Sequence, residues 1–192
     1  KSPFAMWLAQ WLSNHGKAPA ILTRGYGRED ESKLMVVHDG KRTRSTTHEA
    51  GDEPVMLARA LRRVPVIACA NRYRAGRLAT MRLAVRSIIL DDGFQHHALH
   101  REGDVVLLDA TRPLRDLRLF PRGSLRELPG ALQRADLIVV TRWSESAAPR
   151  AVLREAKHYA PAIPIVRTRL GFSEYLRLAD GKRRPVDDLR GR

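Results

Sequence analysis

The stretch Ile88-Ile89-Leu90-Asp91-Asp92-Gly93-Phe94-Gln95-His96-His97 constrains this chain more than any other. An apolar, β-branched run stops abruptly in two adjacent carboxylates, followed by a glycine and then by side chains able to hydrogen-bond. A buried parallel strand has this pattern where its C-terminal end opens into a site. Two carboxylates held side by side repel, and each is costly to desolvate. A hard divalent cation such as Mg²⁺ relieves both problems, which makes Asp91 and Asp92 candidate metal ligands. An ordinary strand followed by an Asp-Gly turn is the other reading, since Asp-Gly is a common turn pair.

The sequence opens on Lys1-Ser2-Pro3, followed by Phe4, Trp7, Leu8, Trp11 and Leu12, an apolar stripe at helical spacing. Lys-Ser at a helix start is also what the end of a GxxxxGK[ST] phosphate-binding loop looks like, its glycines lying before Lys1. In such a loop the lysine reaches the β- and γ-phosphates and the hydroxyl binds the metal. Pro19 to Thr23 predicts a short buried strand and Arg24-Gly25-Tyr26-Gly27-Arg28 a tight loop at its end. Its two glycines let the backbone approach a ligand, and its arginines can fork onto phosphate oxygens. A second strand is expected over Leu34 to His38, with a polar loop from Lys41 to Ala50.

Gly51-Asp52-Glu53-Pro54 introduces a helix expected over Val55 to Arg62. Two readings fit these carboxylates: an N-cap favoured by the helix dipole, or a pair of which one takes a proton and the other helps hold a metal. A strand over Val64 to Ala70 follows, then a basic helix over Arg72 to Val85 whose arginines are expected to be mostly solvated. His96, His97 and His100 match no familiar zinc spacing. Strands are expected at Asp104 to Asp109, Leu137 to Thr141 and Ile163 to Thr168, and helices from Gly123 and over Ala147 to Tyr159. Strands alternating with helices in this way specify an α/β fold, a doubly wound, mainly parallel sheet with helices on both faces and ligands at the C-terminal strand ends.

Composition narrows the function. The chain has 35 basic and 21 acidic residues, a formal charge of +14, and so favours polyanionic partners such as acidic lipid headgroups, phosphorylated substrates or nucleic acid. The aromatic residues are not interleaved with the basic clusters, which argues against single-strand binding, and there is no nucleic-acid-binding motif. No apolar run reaches the ~18 residues of a membrane span. Cys69 lies in an apolar run, as a small buried hydrophobe does, and a lone cysteine excludes a disulfide framework.

Taken in order, Lys1-Ser2-Pro3, Leu22-Thr23-Arg24-Gly25-Tyr26-Gly27, Gly51-Asp52-Glu53-Pro54, Leu90-Asp91-Asp92-Gly93-Phe94-Gln95-His96, Leu108-Asp109-Ala110, Leu125-Arg126-Glu127 and Arg134-Ala135-Asp136 resemble the tetraacyldisaccharide 4'-kinase family. The resemblance runs over roughly residues 1 to 141 and implies a P-loop NTPase-like kinase. Such an enzyme moves the γ-phosphate of ATP, with Mg²⁺, onto the 4'-hydroxyl of a lipid A disaccharide 1-phosphate precursor at the cytoplasmic face of the inner membrane. By resemblance, Lys1 and Ser2 bind the nucleotide phosphates and Ser2 also the metal. Asp92, with Asp91 beside it and Glu53, completes the metal site, and Asp52 is the catalytic base. Arg24 lines the cleft on the cofactor side, and Arg126 and Glu127 line it with a catalytic role assigned to Arg126. The implied kinase core is residues 1–168, entered at its phosphate-loop lysine, and 169–192 begin a C-terminal region. The family's histidine partner of the base is expected beyond Arg192. The alternatives are a P-loop kinase of another acceptor and a basic nucleic-acid-binding module.

Overall fold

The computed structural model describes residues 1–28, 30–145, 147–169, 171, 174–177 and 182–185. The chain divides into two compact units, Lys1–His100 and Arg101–Arg192.

In the first unit, α1 (Ser2–Asn14) leads into β1 (Pro19–Thr23), then β2 (Met35–His38), the short α2 (Thr47–Ala50), α3 (Asp52–Ala60), β3 (Val66–Ala68), α4 (Arg72–Arg82) and β4 (Ser87–Leu90). The strands lie in the order β2-β3-β1-β4. β1 pairs in parallel with β3 and with β4, and β2 joins the edge antiparallel to β3.

All five residues of β1 are buried, as a central strand covered on both faces requires. Their side chains divide by the two-residue period of a strand. Ile21, with Val66 and Ala68 of β3, packs into a core shared with Ala9 of α1 and Val55, Leu57 and Ala58 of α3. Ala20 and Leu22, with Ile67 and Cys69, pack into a second core with Ala75 and Ala79 of α4. Helices therefore cover both faces of this sheet, as the sequence predicts.

Several local expectations are corrected. The 41–50 segment ends in α2, because Thr46 and Glu49 form a reciprocal capping box. The next helix starts at Asp52 rather than Val55, its N-cap being Gly51. Arg72 is 5% exposed and not solvated. The first residue of α4 faces inward here because Asn71, whose side chain accepts from the Arg74 N–H, caps the helix just beyond β3.

The second unit holds β5 (Val105–Asp109), β6 (Leu137–Thr141) and β7 (Ile165–Arg167), parallel and in that order, with α5 (Ala147–Tyr159) packed on β6. An antiparallel pair, β8 (Glu174–Arg177) and β9 (Lys182–Pro185), follows. No α-helix starts at Gly123. The Phe120 N–H donates to the Leu125 carbonyl and the Leu125 N–H to the Arg118 carbonyl, closing a tight loop. Only a 3₁₀ turn at Pro129–Arg134 follows. Pro121, Gly123 and Pro129-Gly130 are too close together for a helix to propagate between them.

Candidate active site

Because β1, β3 and β4 are parallel, their C-terminal ends lie together, with Thr23 opposite Ala68 and Leu22 opposite Leu90. Arg24 follows the first of these ends, Arg72 the second and Asp91-Asp92 the third. The Asp91 N–H donates to the Leu22 carbonyl and the Cys69 N–H to the Thr23 carbonyl, which fixes the three exits against one another. β1 lies between β3 and β4, both of which follow it in the chain, so the strand order reverses across it, and α/β sheets bind ligands at such a switch point. α1 returns along β1, so its N-terminal end and its partial positive charge reach the same edge.

Residues from three distant segments meet there. Lys1 Nζ lies 3.1 Å from Asp92 Oδ1. Ser2 Oγ donates to Glu53 Oε1 at 2.6 Å, joining the start of α1 to the start of α3. Asp91 is 4% exposed. Burial pushes its carboxyl above the ordinary range, and the negative charges of Glu53 and Asp92 push further, while Lys1 opposes them. Asp92 takes a positive φ of 58°, a conformation that aspartate tolerates better than most residues.

Lys1, Ser2, Glu53, Asp91 and Asp92 thus form one electrostatic cluster. Asp52 sits beside Glu53 in the first turn of α3, exposed, and α3 has no side-chain cap hydrogen bond. The N-cap reading of Asp52 is therefore not realised, and its carboxylate faces solvent at the rim of the cluster.

The loop after β1 packs directly onto this helix start. Gly51 has φ 87° and ψ 159°, and a Cβ on it would lie 2.9 Å from the Tyr26 carbonyl oxygen. Arg24 lies on the open side of that loop, 3.3 Å from Glu31 and 5.1 Å from the centre of the Tyr26 ring. Arg126 belongs to the second unit, where it is exposed on the loop that precedes the 3₁₀ turn, and Glu127 next to it pairs with Arg134 at 2.8 Å. It is not among the residues that the first unit brings together.

Two guanidinium groups near these strand ends are buried: Arg72, which no motif assigns, and Arg28, which the loop pattern offers to phosphate oxygens but the fold turns inward. Arg72 Nη1 donates to the Cys69 carbonyl at 2.6 Å, but Nε has no partner among the described residues. Burial, reinforced by the charge of Arg24, pulls Arg72 below its ordinary value, and Asp91 is among the charges that act on it. Arg28 is 6% exposed and donates through Nη2 to the Glu31 carbonyl, while Nε and Nη1 have no partner among the described residues. For Arg72 the available signal is its position two residues after the apolar run Val64–Ala70, behind the helix-capping Asn71.

Among the described residues, no three His, Cys, Asp or Glu side chains are grouped to hold a metal ion. The donors at the cluster are nevertheless all oxygens: the Ser2 hydroxyl and the carboxylates of Glu53, Asp91 and Asp92. Mg²⁺ needs no complete protein cage, because it keeps several waters and binds through one or two carboxylates together with substrate phosphates. The donor set therefore fits that ion.

Comparisons with known proteins bear on the whole chain. The family model described as LpxK, tetraacyldisaccharide-1-P 4'-kinase, matches residues 1–191, well past the residue-141 limit of the motifs. A tetraacyldisaccharide 4'-kinase of Geobacter metallireducens is 42% identical over 192 residues, which is 100% of this chain and 54% of the relative. Another, of Geobacter sulfurreducens, is 39% identical over 191 residues and 52% of its length. The chain thus spans about half the length of these curated relatives. The crystal structure of "apo" form LpxK from Aquifex aeolicus in complex with ATP superposes with a TM-score of 0.76 at 32% identity, covering 100% of this chain and 56% of that one. The likeness extends through both units, as the expected α/β architecture requires.

Proposed function

The chain belongs to the tetraacyldisaccharide-1-P 4'-kinase family, and from that premise we propose that the full-length protein moves the γ-phosphate of ATP to the 4'-hydroxyl of a tetraacyldisaccharide 1-phosphate, a step of lipid A biosynthesis. The observation that carries the proposal is the convergence of Lys1, Ser2, Glu53, Asp91 and Asp92 at the strand ends of the first unit.

Phosphoryl transfer needs positioned phosphates, neutralised charge and an oriented acceptor more than it needs covalent chemistry from the protein. Lys1, at the head of α1, is the cation for the β- and γ-phosphates, and it is held toward the site by Asp92. Ser2, Glu53, Asp91 and Asp92 would hold Mg²⁺, which when bound offsets charge on the transferring phosphoryl group. The energetic state of Asp91 supports this role, because a carboxylate made costly by burial and by two neighbouring anions gains most from a cation. Asp52 accepts the proton of the 4'-hydroxyl as its oxygen attacks phosphorus, and ADP departs with the electron pair of the broken P–O bond. Arg24 supplies a further cationic contact in this scheme. An acylated acceptor places the work at a membrane surface, and the lipid A precursor places it at the cytoplasmic face of the inner membrane.

The test is transfer of label from γ-labelled ATP to the disaccharide acceptor by the full-length protein. Label at the 4' position supports the assignment. Phosphorylation of an unrelated hydroxyl acceptor in preference to the disaccharide would favour a P-loop kinase of another acceptor.

A further inference from the structure

Arg72 opens α4 pointing inward, and the rest of that helix presents a different face outward. Its sequence, Arg-Tyr-Arg-Ala-Gly-Arg-Leu-Ala-Thr-Met-Arg, contains four arginines and no acidic residue. Ala75 and Ala79 turn to the core. Two rows at i, i+4, i+8 spacing lie on the other side, Tyr73–Arg77–Met81 and Arg74–Leu78–Arg82. Leu34 joins them to line a shallow groove of about 290 Å³. Tyr73 is 60% exposed and Met81 68%, an unusual exposure for large apolar side chains. Each row alternates apolar and cationic groups, and an Nη of Arg77 lies 3.7 Å from the Met81 sulfur.

We propose that this face of α4 is the surface by which the protein docks on anionic lipid headgroups, with Tyr73 and Met81 entering the interfacial layer and Arg74, Arg77 and Arg82 pairing with headgroup phosphates. It rests on the reading that the acceptor is a lipid. Charge complementarity selects the occupant. A nucleic-acid backbone satisfies the three arginines but gives the exposed Tyr73 and Met81 no apolar partner, whereas a bilayer interface satisfies both sets. Arginine stems lie along apolar surface while their heads reach phosphate, and tyrosine rings favour the headgroup level. The face also has a useful address. Its N-terminal end, at Tyr73 and Arg74, follows the C-terminal end of β3, so a bilayer on that end of α4 adjoins the strand ends where the acceptor must react.

The experiment is flotation of the full-length protein with vesicles of phosphatidylcholine alone or mixed with phosphatidylglycerol. Three variants are compared with wild type: Arg74→Gln/Arg77→Gln/Arg82→Gln, Tyr73→Ser/Met81→Ser, and a control removing Arg112, Arg115 and Arg118. Each interfacial cation contributes about a factor of five, so the first variant should lose roughly 100-fold in partitioning to anionic vesicles. The second should lose about 10-fold, and the control only a few-fold. Unchanged partitioning of the first variant, equal binding of wild type to neutral and anionic vesicles, or tighter binding to duplex DNA than to anionic vesicles would each overturn the proposal. Turnover of the detergent-dispersed acceptor is measured in parallel and should be unaffected in all three variants. A wild type that fails to phosphorylate it yet partitions through α4 refutes the kinase reading and leaves the docking face standing.

Discussion

Substituting Gly51 by alanine tests whether the loop after β1 and the start of α3 are one device. Gly51, at φ 87° and ψ 159°, lies in a region that only glycine occupies freely, and forcing another residue there costs on the order of 1–3 kcal/mol. The new Cβ would also sit 2.9 Å from the backbone oxygen of Tyr26, which cannot swing away as a flexible side chain could. Relief requires the 25–27 loop and the first turn of α3 to separate by a few tenths of an ångström. Gly27→Ala is the internal control. Gly27 has φ 77° but nothing within 4 Å of a Cβ built on it, so only the left-handed backbone cost of about 1–2 kcal/mol applies. Urea unfolding of the full-length protein should therefore show Gly51→Ala destabilised by about 3 kcal/mol or more and Gly27→Ala by clearly less. Because Gly51 directly precedes Asp52 and Glu53, kcat/KM should fall on the order of 100-fold in Gly51→Ala, the usual effect of a small misplacement in a reacting site. Equal stabilities for the two variants, or an unchanged kcat/KM in Gly51→Ala, would refute the reasoning.

The carboxylates give two further outcomes. Asp52 is exposed and caps nothing, so Asp52→Ala should lower kcat by about 10²–10⁴-fold while the melting temperature stays close to wild type. A lower melting temperature at unchanged kcat would restore the cap. Asp91 has its carboxyl raised by burial and by neighbouring anions. A raised folded-state value means that its ionisation is unfavourable to folding. The penalty is absent below the unfolded value of 3.8 and grows as pH rises through the folded value. Asp91→Asn should therefore raise the melting temperature at neutral pH in metal-free buffer, and the gain should vanish in acid. A gain independent of pH would mean that charge is not its cause.

Much of this arrangement is legible in the residues, and what is not has physical causes. Ile88–Leu90 followed by Asp91-Asp92 announces a strand end bearing charge, and β4 ends at Leu90. Arg24-Gly25-Tyr26-Gly27 likewise follows a strand whose five residues are all buried. The capping box of Thr46 and Glu49 was available as a Thr-x-x-Glu signature, but the polar residues around it dominate the segment. A helix from Gly123 fails because local periodicity counts for less than the prolines and glycines on either side of it. The burial of Arg72 could not be seen in composition, since arginine is ordinarily solvated and only the tertiary placement of Asn71 at the end of β3 turns this one inward. The Ser2–Glu53 hydrogen bond joins residues 51 positions apart, a distance at which no periodicity carries information.

The most direct test of the central claim, that the cluster at the ends of β1, β3 and β4 is the phosphoryl-transfer site, is the Asp92→Asn variant in the full-length protein. This change keeps the size of the side chain and the left-handed turn that asparagine also tolerates. It removes the charge that faces Lys1 at 3.1 Å and one anionic oxygen donor. Transfer of the γ-phosphate to the disaccharide acceptor at saturating ATP and limiting Mg²⁺ should fall by at least about 100-fold, with the unfolding transition unchanged. Turnover near wild type at limiting Mg²⁺, in a protein that folds normally, would place the reaction elsewhere in the molecule.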